Sequence, residues 1–139
     1  VARDSKQLGA RIVVVHGETI VEPVEPGTNR AAISSTHVDI LAHPGLIELD
    51  DAYLAAEKKV YLEITARRGH SLTNGHVAKI ANLAGARIIL DSDAHEPQDL
   101  LNVQLAESIA RGAGLETDET HTLLWHNPTL LLQKLGVSP

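Results

Sequence analysis

Four short apolar runs, separated by stretches with a helical period, organise the hydrophobic pattern of this chain. Each run is rich in β-branched residues and is apolar almost throughout, which is typical of strands buried on both faces of a parallel sheet. The segments between the runs place apolar residues three and four positions apart, the spacing of a helix with one buried face. The predicted order is therefore β-α-β-α-β-α-β-α-α, an α/β fold with a helix-covered parallel sheet. The predicted strands cover residues 10–15, 38–42, 60–65 and 87–90.

Capping residues and glycines set the predicted helix boundaries. The predicted helices cover residues 28–35, 50–58, 73–85, 97–112 and 117–126, and residues 1–9 are typical of the end of another helix. In the helix after residue 97, Leu101, Leu105, Ala106 and Ile109 form the predicted inward face. Asn127 and Pro128 are expected to break the last helix before a short amphipathic turn, because proline lacks an N–H group.

Composition and charge narrow the class of protein. A chain of 139 residues with 43% apolar content is expected to form one domain, residues 1–139, around its own core. No apolar run approaches the roughly 18 residues of a membrane span, and no signal peptide is visible, so we expect a cytoplasmic protein with no membrane partner. The net charge of −6 argues against a nucleic-acid partner bound by a basic patch. Because the chain has no Cys, disulfides and thiolate zinc sites are excluded.

Histidine is the compositional signal that points to chemistry, with eight in the chain. His16, His43 and His95 each follow a predicted strand. The carboxyl ends of parallel strands open onto one face, where binding and catalytic sites are built. Asp93 and His95 are two positions apart, so in an extended chain their side chains would point to the same side. This pattern favours a divalent metal site over the alternative in which each residue only caps a helix.

The loop after the third predicted strand carries further candidates. Arg67 and Arg68 would bind a substrate phosphate in bidentate fashion, or they form a solvated charge pair. His70 lines the pocket or caps the helix that follows. The sequence leaves both alternatives open for each of these residues.

Two glutamates and two glycines lie next to the candidate ligands. Glu18 would lie within reach of an ion at His16, or it only holds its own loop. Glu63 lies within the third strand and faces inward or outward, depending on a register that the sequence does not fix. Gly17 and Gly45 would allow the backbone to bend close to an ion or substrate.

At this point the chain resembles a known family. The motifs that carry the resemblance are His16-Gly17-Glu18, Leu41-Ala42-His43-Pro44-Gly45, Leu62-Glu63-Ile64 and Ser92-Asp93-Ala94-His95. In order and spacing they are similar to the later motifs of the PHP family, the polymerase and histidinol phosphatase metallohydrolases, over nearly the whole chain. The most similar members are small stand-alone histidinol-phosphatase-like proteins.

The resemblance implies a distorted seven-stranded, TIM-like βα barrel, of which this chain matches about the last four strands. It implies up to three divalent metal ions, of zinc, manganese or iron, at the carboxyl ends of the strands. The implied activity is hydrolysis of a small phosphate monoester, such as histidinol phosphate, by a metal-activated water. By resemblance the metal ligands are His16, His43, Asp93 and His95, of which Asp93 and His95 are also the expected catalytic residues. The family is similar in placing Arg in the loop of Arg67 and Arg68, and these two residues with His70 are the expected substrate-binding residues. Glu18 and Glu63 would contact the metal ligands and orient them.

The chain also departs from the family pattern. The first family motif, His-x-His on the first strand, is absent, together with the ligands of the next two strands. Open sheet edges would seek a partner, so we expect either a preceding N-terminal segment or self-association, for example two copies in an eight-stranded ring. Two other functions stay open. One is a PHP-type phosphodiesterase or nuclease, disfavoured by the acidic charge and the scarcity of aromatic residues. The other is a catalytically incomplete barrel fragment that acts as a binding module.

Overall fold

Parallel strand pairing sets the architecture of this protein. The computed structural model describes residues 1–137, which form a four-stranded parallel sheet whose spatial order follows the order along the chain. The strands are β1 (Val14–His16), β2 (Ile40–Ala42), β3 (Tyr61–Thr65) and β4 (Ile88–Asp91). The α/β fold with a parallel sheet is confirmed, whereas closure into a seven-stranded barrel stays a prediction. β1 begins later than predicted, in part because the Asp39 side chain accepts the N–H of Val13, at 2.9 Å, in place of a backbone carbonyl.

Helices connect the strands and cover one face of the sheet. They are α1 (Ala2–Gln7), α2 (Thr28–Ser34), α3 (Leu49–Lys58), α4 (Asn74–Ala84), α5 (Val103–Gly112), α6 (Thr117–His121) and α7 (Asn127–Lys134). Short 3-10 turns, His70–Thr73 and Pro97–Asp99, precede α4 and α5. α5 begins later than predicted because Asn102 caps it, accepting the N–H of Leu105 at 2.9 Å. Across residues 1–137, each helix is too short or too polar to span a lipid bilayer.

The last helix continues where a break was predicted. α6 runs through a π-helical segment, Thr122–His126, directly into α7. Pro128 lies in the first turn of α7. The missing N–H of Pro128 is tolerated there, because the preceding π segment has already shifted the hydrogen-bond pattern. Asn127 donates from its side-chain amide to the carbonyl oxygen of Ile88 in β4, at 2.7 Å. The prediction of a break was wrong, because the helix continues through these residues and Asn127 anchors it to the sheet.

The two faces of the sheet differ in character. The helix-covered face holds the main core, with Leu41, Leu62 and Ile64 fully buried at its centre. The opposite face is covered near the amino ends of the strands, where Tyr61 packs with Leu131 of α7. Toward the carboxyl ends of the strands, this second face carries polar side chains. The candidate chemistry therefore lies at the less covered end of the sheet.

The surface of α5 departs from the predicted amphipathic pattern. Leu105, predicted to face inward, is 45% exposed. Ala106 and Ala110 form the buried face instead, because small side chains allow α5 to lie close to its neighbours. Val103 and Trp125, which line one surface pocket together with Ala106, are also exposed. The inward assignment was therefore correct for Ala106 and wrong for Leu105.

Asp39 fixes the amino ends of the strands to two terminal helices. Its buried carboxylate lies 2.5 Å from Nζ of Lys6, 2.9 Å from the N–H of Val13 and 3.3 Å from Nζ of Lys134. Burial alone would raise the pKa of Asp39, but the hydrogen bonds from these groups outweigh it and hold the pKa below its ordinary value. The ionised carboxylate therefore stabilises the junction of α1, α7 and the sheet.

Replacing Asp39 with Asn should lower the free energy of unfolding near pH 7 by about 2–3 kcal/mol, because hydrogen bonds to a charged group are lost. The pKa of Asp39 is lower in the folded than in the unfolded protein, so its stabilisation is complete above roughly pH 4 and is lost as the pH falls toward the folded pKa. Urea unfolding of both proteins between about pH 7 and pH 3 should show the difference shrinking on acidification. A difference that does not change over this range would contradict the role given to Asp39.

Candidate metal centre

Two loops that leave neighbouring strands touch so closely that only glycine fits between them. They are residues 17–19 after β1 and residues 43–45 after β2. A Cβ atom on Gly17 would lie 2.6 Å from a backbone oxygen of β2, and one on Gly45 would lie 1.9 Å from the backbone oxygen of Glu18. The sequence predicts that these glycines let the backbone bend close to an ion or substrate, and this stays a prediction. In the structure they allow the two loops to touch, which sets His16 and His43 side by side.

Asn29 of α2 fastens the same two loops together. Its N–H donates to Oε1 of Glu18, and the N–H of Glu18 donates to Oδ1 of Asn29, each at 2.9 Å. The Asn29 amide also donates to the carbonyl oxygen of Pro44, at 2.9 Å. Of the two roles that the sequence left open for Glu18, its contacts match the loop-holding one, since its carboxylate is directed to α2.

Three imidazole rings converge at the carboxyl ends of the strands. The ring centroids of His16 and His43 are 4.5 Å apart, and those of His43 and His70 are 4.2 Å apart in a stacked arrangement. One nitrogen from each ring lies within 4.8 Å of one nitrogen from each of the others. His70 joins the cluster because the 3-10 turn after Gly69 returns the chain over the end of the sheet. The three rings can hold one metal ion.

Each ring of this cluster is contacted at Nδ1, which leaves Nε2 for an ion. The Nδ1 contacts are the Gly17 carbonyl oxygen at 2.9 Å for His16, Oε2 of Glu63 at 2.8 Å for His43, and Oγ1 of Thr19 at 2.6 Å for His70. The contact between His43 and Glu63 is off the direction of a hydrogen bond, so it is a close approach of polar groups. Metal-binding histidines generally have the second ring nitrogen held in this manner. Within residues 1–137, the buried Nε2 of His43 has no hydrogen-bond partner.

Burial keeps two of the three rings in their metal-binding form. Burial is the main cause that lowers the pKa of His43. Burial likewise lowers the pKa of His70, with a smaller contribution from the neighbouring charge of His43. Neutral imidazole is the form that binds metals. His43 and His70 are therefore available as ligands near neutral pH.

One buried and one half-buried carboxyl group lie on the same face of the sheet. The register of β3 puts Glu63 on the less covered face, between Tyr61 and Thr65, which resolves the direction that the sequence left open. Thr65 pairs with Asp91, so Asp91 shares this face. Burial raises the pKa of Glu63, and burial together with the neighbouring carboxyl group of Glu63 raises the pKa of Asp91 to about 8.

The carboxyl pair and the histidine cluster suit a bound cation. Near neutral pH the pair of Glu63 and Asp91 retains a proton, because two adjacent carboxylates shielded from solvent repel each other. Among the described residues, Oε1 of Glu63 has no hydrogen-bond partner. Buried polar atoms without partners are costly, and a nearby cation would offset that cost. These orphaned atoms and the nitrogen donors therefore fit a divalent metal ion.

Asp93 and His95 lie outside the three-ring cluster. The expectation of an extended chain through these residues was wrong, because β4 ends at Asp91 and Asp93 has a left-handed backbone with φ of +46°. The side chain of His95 is 58% exposed, and its Nδ1 lies 2.9 Å from the backbone oxygen of Asp93. His43 also has positive φ, at +32°. Strained backbone of this kind is concentrated at functional sites, and metal binding by Asp93 and His95 stays a prediction.

The two arginines after β3 differ in their surroundings. Nη1 of Arg67 lies 3.3 Å from Oδ2 of Asp99, which also accepts the N–H groups of His95 and Glu96 at 2.9 and 3.0 Å. Asp99 therefore links the loop after β3 to the loop after β4. Arg68 is exposed and makes no ion pair within residues 1–137. Phosphate binding by either arginine stays a prediction.

Three residues at this site were missed in the sequence. Thr19 follows the His-Gly-Glu motif and contacts His70, and Asp91 lies at a strand end on the face of Glu63. Both could have been found by extending the strand-end argument by a few residues. Glu22 lies 3.4 Å from Nε2 of His16, and a hydrogen bond from His16 lowers the pKa of Glu22. No pattern in the proline-containing loop 20–27 singles out Glu22.

Curated proteins similar to this chain are longer than it is. An uncharacterized protein of Methanocaldococcus jannaschii is 48% identical over 134 residues, covering 96% of this chain and 62% of that protein. Probable phosphatases of Shewanella halifaxensis and Shewanella pealeana are each 33% identical over 134 residues, covering 86% of this chain and 53% of those proteins. The chain thus spans between 53% and 62% of the length of these relatives. No family model matches the chain.

A solved structure has a similar fold. A chain in the cryo-EM structure of archaeal ribonuclease P with mature tRNA matches with a TM-score of 0.75 and 18% sequence identity. The match covers 96% of this chain and 62% of that one. At this level of identity the likeness establishes the fold alone.

Replacing Gly45 with Ala should destabilise the protein by roughly 3 kcal/mol or more, because the new Cβ would collide with the backbone of Glu18. Gly85 is the matched control. Its φ of +68° is similar to the +62° of Gly45, but a Cβ there meets nothing within 4 Å. Gly85→Ala should therefore cost only about 1–2 kcal/mol of left-handed backbone strain. Equal losses in urea unfolding would contradict the close contact between the loops.

Proposed function

We propose that this protein is a metal-dependent phosphatase that hydrolyses a small phosphate monoester, with chemistry of the PHP type that its motifs resemble. The observation that carries the proposal is the convergence of His16, His43 and His70 at the carboxyl ends of parallel strands, with each Nδ1 contacted by the protein. The names of relatives at 33% identity, probable phosphatases, support this reaction class. Because the chain spans only part of their length, the activity and substrate of the whole protein belong to the proposal.

The three imidazoles would hold a divalent cation through nitrogen. A nitrogen-rich donor set suits zinc or iron better than manganese, so zinc or iron is the proposed ion. When bound, the ion supplies a Lewis acid that lowers the pKa of water and offsets charge on a phosphoryl group. The buried, unpartnered Nε2 of His43 and the carboxyl pair of Glu63 and Asp91 support this assignment.

The loops after β3 and β4 would supply the substrate contacts. Arg68 is exposed and unpaired within residues 1–137, so it is suited to bind an incoming phosphate oxygen. Arg67 is oriented by its ion pair with Asp99 and would bind a second oxygen of the same phosphate. Asp93 lies close enough for its charge to oppose the effect of burial on the pKa of His43. Asp93 would orient the attacking water, and His95 would pass a proton to the leaving oxygen.

Additional strands are part of the proposed active assembly. β1 and β4 are the edges of the sheet, and Val14 in β1 is exposed. Exposed edge strands pair readily with other strands. A further segment or a second copy would cover these edges and supply ligands for additional metal ions. Light scattering of the purified chain would give its oligomeric state.

Metal removal and one ligand variant test the proposed activity. Exhaustive chelation should abolish hydrolysis of p-nitrophenyl phosphate, and zinc or iron(II) should restore it. His43→Ala should lose on the order of 100-fold or more in kcat/KM, because a metal ligand is removed. His121→Ala, at an exposed helical position, is the matched control and should retain activity and metal content.

Three outcomes would contradict the proposal. They are activity that survives chelation, a His43→Ala variant as active as its parent, and a metal-loaded protein that does not hydrolyse phosphate monoesters. Faster cleavage of single-stranded DNA than of the monoester would favour the nuclease alternative. The absence of stoichiometric metal, together with no turnover of either substrate, would favour the binding module.

A further inference from the structure

Glu22 lies across the open side of the three imidazole rings. Its Oε2 is 3.4 Å from Nε2 of His16, and its Oε1 is 3.8 Å from Nε2 of His70. These two nitrogens are the ones left available, because the Nδ1 atoms of both rings are contacted by Gly17 and Thr19. The carboxylate therefore faces the same space as the donor atoms of the cluster.

The contact between Glu22 and His16 is a long hydrogen bond, and both separations are close to the spacing of two ligands around one ion. Donor atoms about 2.0–2.1 Å from a tetrahedral zinc ion lie roughly 3.4 Å apart. A hydrogen bond between a ring N–H and a carboxylate is usually shorter, at about 2.7–3.2 Å. The distances of 3.4 and 3.8 Å leave room for an ion that touches both partners.

The loop that carries Glu22 lies against the turn that carries His70. Pro23 and Pro26 restrict the backbone on the carboxyl side of Glu22. Val21 packs against Gly69, next to His70, where a Cβ on Gly69 would lie 3.4 Å from the Val21 methyl groups. Within residues 1–137, the Glu22 carboxylate makes hydrogen bonds or ion pairs only with the two rings. The loop thus presents a carboxylate that has no other structural role.

We propose that Glu22 is the fourth ligand of the metal site formed by His16, His43 and His70. The inference rests on the metal site proposed above and adds a residue that its motifs do not include. A carboxylate would complete a nitrogen-rich tetrahedral set and offset part of the ionic charge that three neutral imidazoles leave uncompensated. Glu22 is 65% exposed, so its carboxylate lies on the solvent side of the site.

Zinc affinity of the full chain tests the ligand role directly. Affinity is measured by competition with a chromophoric chelator near neutral pH, using Glu22→Ala to remove the donor and Glu22→Gln to remove the charge at nearly constant size. Glu25→Gln is the matched control, because Glu25 is an exposed residue of the same loop and makes no ring contact. Glu22→Ala should weaken zinc binding roughly tenfold or more, whereas Glu25→Gln should change it by less than about twofold. The zinc affinity of Glu22→Gln should fall between that of the wild type and that of Glu22→Ala. The visible spectrum of the cobalt(II)-loaded protein should change in Glu22→Ala and stay unchanged in Glu25→Gln.

Each contrary outcome has a distinct meaning. Unchanged zinc affinity and an unchanged cobalt spectrum in Glu22→Ala would overturn the ligand role of Glu22 and leave the three-histidine site intact. Equal weakening by Glu22→Gln and Glu25→Gln, with no spectral change, would show a general effect of charge and would also overturn it. Failure of the wild-type chain to bind zinc would overturn both the ligand role and the metal site.

Discussion

The contact between the loops after β1 and β2 is the constraint on which the candidate site depends. At Gly17 and Gly45 the two backbones approach more closely than any side chain allows. Asn29 adds three hydrogen bonds, all at 2.9 Å, that join the same loops to α2. Because this contact is made by backbone and by buried amide groups, the positions of His16 and His43 do not depend on a bound ion. The site is preorganised by the fold, and the ion would bind to side chains that are already in place.

Ionisable groups beneath the surface are the second feature that distinguishes the candidate site. His43 and Glu63 contact each other below the surface, and Asp91 lies beside Glu63 with its pKa raised to about 8 by burial and by that neighbour. A hydrophobic isostere would pack in this position with less electrostatic cost. This end of the sheet differs from the apolar core in two ways. It holds buried ionisable groups with atoms that lack hydrogen-bond partners, and the backbone of His43 has a positive φ. Stability at the opposite end is supplied by Asp39, which is fully satisfied by hydrogen bonds.

The sequence predicted those features that depend on local pattern. Apolar runs located the strands, and His16 and His43 were found because they directly follow strands that are adjacent and parallel. His70 was left undecided because its position depends on a 3-10 turn that no periodicity indicates. The direction of Glu63 required the register between β3 and β4, which is a property of pairing and not of one segment. The predicted conformation of Asp93 and His95 was wrong, because the prediction continued the extended strand beyond Asp91, where β4 ends.

Three imidazole nitrogens, and not a shell of oxygen atoms, are expected to bind the cation. X-ray absorption at the zinc K-edge, on the chain loaded with one equivalent of zinc, counts the imidazole ligands. We expect a first shell with three imidazole nitrogens at about 2.0–2.1 Å, with the outer-shell scattering of the rings. A first shell of oxygens with at most one imidazole would contradict it.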